Sequence, residues 1–76
     1  MPTKHLRYDR HARRRMKWRK ISETEVEETL QNPDKEDKTT KGCINRYKTI
    51  GQRYIRVTYK EFEDEILVIS AVDKTD

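Results

Sequence analysis

Disulfides are the first thing this sequence excludes. Its one cysteine, Cys43, cannot close an internal bridge and cannot build a cysteine-based zinc site. A lone thiol fits a reducing compartment. Two glycines leave no glycine-rich loop to cradle a phosphate. No apolar run is long enough for a membrane span or a secretory signal, so the expectation is a soluble cytoplasmic protein. The two histidines, His5 and His11, are six residues apart, which is not a one-face helical spacing. No carboxylate pair accompanies them, and neither a metal site nor a cofactor is expected. No Ser-His-Asp arrangement presents itself.

Apolar side chains are scarce, at 32% against 42% charged, a balance that approaches the disordered range. They are clustered, however, in residues 55–59 and 66–72, and that clustering argues for a folded chain. At 76 residues it is a single domain, 1–76, with a small core. A small core leaves room for support from a partner or from weak homodimerisation.

The charges are strongly segregated. Residues 1–20 carry +8, 21–38 carry −5, 39–60 carry +6 and 61–76 carry −5. Two basic blocks that converge in space make the electrostatic footprint of a polyanion-binding protein. The alternative is a mixed surface that only keeps a small domain soluble. The densest block is residues 10–22, where seven of thirteen side chains are Lys or Arg.

Residues 1–4 are expected to form a loose end. From about residue 6 to 20, helix-favouring residues run without Gly or Pro. Tyr8, Ala12 and Met16, four apart, make a narrow apolar stripe. His11, Trp18, Arg15 and Arg19 fall beside that stripe, with Arg10, Arg13, Arg14, Lys17 and Lys20 toward solvent. An Arg next to a core stripe needs an anion, a carboxylate or an aromatic face. An ion pair to the acidic second helix is the plainer way to supply one.

That second helix covers residues 21–30. Ser22 and Glu25 form a capping box, Ile21 and Val26 a hydrophobic staple, and Asn32-Pro33 the stop. A charged loop over 33–42 follows, then strands over 43–50, 53–62 and 65–72 joined by short turns. The last strand is apolar on both faces and is placed at the centre. The expected fold is α+β, two N-terminal helices packed on a three-stranded antiparallel meander. The uncovered sheet face should carry Arg46 and Lys48 or their alternates, with Tyr54 and Arg56.

The run H-A-x-x-R-M-x-x-R-x-I-S (His11 to Ser22), followed by the acidic helix and the two apolar strands, resembles a small prokaryotic domain family of unknown function. The likeness covers residues 8–72. Lys20 stands where that pattern has Gly. The family's layout is similar to the RelE-like and BrnT-like toxins, within a group of metal-independent ribonuclease folds that includes barnase. The resemblance implies a toxin-like RNA-binding domain, with the ribosome as a candidate site of association and an antitoxin as protein partner.

Metal-independent RNA cleavage needs a proton acceptor, a proton donor and cations for the phosphorane. His11 is the acid–base candidate. Arg15, Arg19 and Arg56 are candidates for the phosphate, because the guanidinium fork matches two of its oxygens. The catalytic set is therefore His11, Arg15 and Arg56. The nucleic-acid-binding set is Arg10, Arg14, Lys17, Trp18, Arg19, Arg46, Lys48 and Tyr54. Each has a plainer alternative: His11 as a hydrogen-bonded tie between helix and sheet, Arg15 in a salt bridge, Trp18 in a core or interface, the tyrosines as ordinary strand residues. The rival function is a non-catalytic module that binds nucleic acid or an acidic protein. A third reading has the 43–50 strand as an exposed edge that recruits a partner by strand addition.

Overall fold

The computed structural model describes residues 5–74, so the expectation for residues 1–4 lies outside the described residues. The elements run β1 (His5–Tyr8), α1 (Arg10–Arg19), α2 (Glu23–Gln31), β2 (Lys35–Lys38), β3 (Ile44–Ile50), β4 (Arg53–Glu61) and β5 (Glu65–Asp73). They form one five-stranded sheet in the order β1-β5-β4-β3-β2, with both helices on one face. The α+β class holds. The three-stranded antiparallel meander does not: β3, β4 and β5 pair as expected, but each side gains a strand, and β1 runs parallel to β5.

The two added strands have different causes. In β1, Leu6 and Tyr8 alternate with His5 and Arg7, a period too short to stand out from a helix-favouring stretch. Leu6 lies beside Ile66 and Tyr8 beside Val68, so pairing with β5 half-buries both. The expected helix therefore starts four residues late, at Arg10, with Asp9 accepting from the Arg10 amide at 2.8 Å. In β2 all four residues are exposed and charged, and no apolar pattern announces a strand. Cross-strand partners hold it. Glu36 faces Arg46 and pairs with it at 2.7 Å, and the Lys35 ammonium sits 5.2 Å from the Tyr47 ring centre. Asp34 anchors its start by donating its amide to the Tyr47 carbonyl and accepting from the Thr49 amide.

Two placements change as a result. The residue 43–50 strand is not an edge, because β2 covers it on one side and β4 on the other. The most apolar strand, β5, lies between β1 and β4, and β4 takes the middle of the sheet.

The helices follow their local signals closely. Ser22 accepts from the Glu25 amide at 3.1 Å while Glu25 accepts from the Ser22 amide at 2.9 Å, completing the capping box. α1 ends in a Schellman motif. Ile21 donates to the Met16 carbonyl at 2.8 Å and Lys20 to the Lys17 carbonyl at 3.3 Å, with Ile21 and Met16 both buried. Lys20 takes the left-handed position this motif requires, at φ 57°.

The core is a single layer between helices and sheet. Ala12, Met16, Ile21, Val26 and Leu30 pack on Ile55, Val57, Tyr59, Val68 and Ala71. Each of the larger side chains contributes on the order of 2 kcal/mol by leaving water. Register puts Ile55, Val57 and Tyr59 toward the helices, and Tyr54, Arg56 and Thr58 on the uncovered face. An irregularity between Thr58 and Tyr59 shifts the β4–β5 register.

Candidate nucleic-acid interface

α1 is held to the sheet by Ala12 and Met16, both buried, so the flank beside that stripe is turned outward. There His11, Arg14, Arg15, Trp18 and Arg19 line one shallow groove of about 210 Å³. Trp18 is 80% exposed, so it belongs to this surface and not to the core. His11 is exposed as well and does not tie the helix to the sheet. Among the described residues, no carboxylate pairs with Arg14, Arg15 or Arg19. Arg10 and Lys17 are exposed on the same helix, outside the groove.

The acidic second helix is engaged elsewhere. Glu23 pairs with Arg13 at 3.8 Å, on the other flank of α1. Glu25 pairs with Arg53 at 3.2 Å. The ion pair from α1 to α2 thus exists, but through Arg13 and not through Arg15 or Arg19. Arg13 also lies over the Tyr8 ring at 5.1 Å. The Tyr8 hydroxyl is enclosed without a hydrogen-bond partner. Burial, with Glu23 and Glu27 nearby, pushes its pKa up to about 12 against the opposing pull of Arg13.

The remaining candidates are dispersed. Arg46 and Lys48 fall on the helix-covered face, and the uncovered face carries their alternates Asn45, Tyr47 and Thr49. Arg46 donates to the Leu30 carbonyl and pairs with Glu36. Lys48 donates to the Asn32 carbonyl at 2.8 Å. Both side chains cap the negative end of α2. Tyr54 and Arg56 lie on the uncovered face, where Tyr54 stacks on Tyr47 with ring centres 5.6 Å apart. Arg56 sits between Tyr47 and Val72, its Nε enclosed and without a partner. His11 and Arg15 are therefore on the helix side of the sheet and Arg56 on the other, so one chain does not bring the three to one phosphate.

Arg53 is the residue that sequence reasoning missed. Its guanidinium donates to the Arg19 carbonyl at 2.8 Å and the Lys20 carbonyl at 3.1 Å, and pairs with Glu25 and Asp73. It ties the end of α1 to the start of α2 and the end of β5. Those partners lie 20 to 34 residues away, so only the folded chain reveals them.

The groove offers three fixed cations, one imidazole and one open indole face. That suits phosphates and a stacked ring. His11 is its one candidate acid–base side chain, where cleavage needs both a proton acceptor and a proton donor. Among the described residues, no cluster of three His, Cys, Asp or Glu side chains forms a metal site, and no helix is long and apolar enough to cross a membrane. Residues 8–73 match the family model described as Domain of unknown function (DUF4258). No curated protein and no solved structure matches the chain.

Proposed function

The chain belongs to the DUF4258 family, a domain of unknown function, and from that premise we propose that it binds RNA through the outward flank of α1. The observation that carries this is the groove itself. Arg14, Arg15 and Arg19 stand around Trp18 with no carboxylate among the described residues to neutralise them. Unpaired guanidinium groups beside an exposed aromatic ring are the equipment of a phosphate-and-base surface. A cytoplasmic location belongs to the same reading and fits the lone Cys43.

The test is RNA retention by the purified protein as a function of salt, in EDTA. Affinity falls as salt rises, with a log–log slope of about −2 to −4 for the three to six cations of α1. Arg15→Gln weakens binding roughly fivefold near 0.1 M salt. Binding that ignores salt and Arg15 would end the proposal.

A toxin-type ribonuclease is the second reading, and His11 beside Arg14 and Arg15 in the groove favours it. The same incubation decides between them. RNA left intact supports binding alone. Product that forms in EDTA and disappears in His11→Ala would make the groove an active site.

A further inference from the structure

We propose that the ligand of this groove is single-stranded RNA, with one unstacked base lying on the Trp18 indole and Arg14, Arg15 and Arg19 on the flanking phosphates. This rests on the RNA-binding reading and adds the strandedness of the ligand and a role for the tryptophan.

Trp18 has the most exposed large apolar side chain among the described residues, on a helix whose Ala12 and Met16 are fully packed. Its neighbours in the groove are cations at positions i−4, i−3 and i+1. Within a duplex the base faces are stacked on one another and only edges are presented. An indole reads a face, which a single strand offers.

The charge around α1 also argues against a duplex. Docking a helix in a nucleic-acid groove places a phosphate wall on each side of it. One flank of α1 carries Arg14, Arg15 and Arg19, which pair with no carboxylate among the described residues. The other carries Arg13, already paired with Glu23, with Glu27 close enough to raise the Tyr8 pKa. A second phosphate wall would meet those carboxylates. The surface accommodates one phosphate track, as a single strand supplies. RNA is the nucleic acid that routinely presents unpaired bases, in loops, bulges and ends.

The chain has one tryptophan, so its emission reports on this site alone. The experiment titrates the full chain with a uridine-rich 12-mer RNA, the same RNA annealed to its complement, a thymidine 12-mer and inorganic polyphosphate. The expected result is quenching by the single-stranded RNA and binding roughly tenfold tighter than to the duplex. Trp18→Leu, at an exposed position where folding is undisturbed, loses that preference and keeps its salt-dependent binding to polyphosphate. Equal binding of strand and duplex with unchanged emission overturns the inference and leaves RNA binding standing. A thymidine strand bound as tightly as the RNA overturns the choice of RNA. Failure of every polyanion to bind removes the reading underneath and turns attention to an acidic protein.

Discussion

Lys20 holds a backbone conformation that a side chain resists. At φ 57° its Cβ crowds the following carbonyl, a cost of about 1–2 kcal/mol that glycine escapes. Glycine also adds freedom to the unfolded chain, which returns part of the gain. Lys20→Gly is therefore expected to stabilise the domain by roughly 0.5–1 kcal/mol in urea denaturation. A fall in stability would show that the lysine side chain makes a compensating contact. Tyr8 gives a second residue-level case. Its hydroxyl is enclosed without a partner, so Tyr8→Phe should cost nothing at neutral pH. Burial raises its pKa from 10 to about 12, so the folded state keeps a proton that the unfolded state loses first. That contribution is complete below pH 10 and is lost as pH rises from 10 toward 12. Melting curves across this window should fall less steeply for Tyr8→Phe. Part of the alkaline loss persists in the variant, because burial raises Tyr59 as well.

At the scale of elements, local signals and long-range contacts divide the work. The start of α2 is written in four consecutive residues, Ser22 to Glu25, and forms as written. The joint between α1 and α2 is not. It relies on Arg53, whose guanidinium reaches two carbonyls at the end of α1 and the carboxylates of Glu25 and Asp73. Arg53→Ala removes a donor from each of those groups. A loss on the order of 2 kcal/mol is expected, since the cluster is only partly shielded from water. Circular dichroism melts would register it, and a loss below about 0.5 kcal/mol would reduce the cluster to surface decoration. β1 and β2 teach the opposite lesson from α2. Four residues of alternating or wholly charged sequence carry too little pattern to be read as strands. They become strands because β5 and β3 each present an unpaired edge.

Across the whole molecule, the fold divides the basic residues into groups with different tasks. Arg14, Arg15 and Arg19 face outward from α1, Arg46 and Lys48 secure the end of α2, and Arg56 lies under the uncovered face. Arg56, from the second basic block, thus lies on the opposite side of the sheet from the outward flank of α1. If α1 carries RNA binding, Arg56→Gln should leave the affinity and its salt slope unchanged while Arg15→Gln lowers the affinity. Electrophoretic mobility shifts at two salt concentrations would separate them, and equal losses would mean that RNA wraps around the sheet.

The amino-acid sequence by itself determined the α+β class, both helices, the three long strands and the inward face of β4. Each follows from short-range causes, namely capping residues, apolar spacing and turn residues within a few positions. It also determined that His11, Arg15, Trp18 and Arg19 share one helical flank, because helix geometry alone puts them there. Family membership was legible too, and the match over residues 8–73 shows it. Tertiary structure decided the rest: the two edge strands, the parallel pairing of β1 with β5, the attachment of Arg46, Lys48 and Arg53 to helix ends, and the separation of Arg56 from His11. All of these depend on hydrogen-bonding groups and charges brought together from distant parts of the chain. No local pattern encodes such a partner, and only closing the sheet selects it.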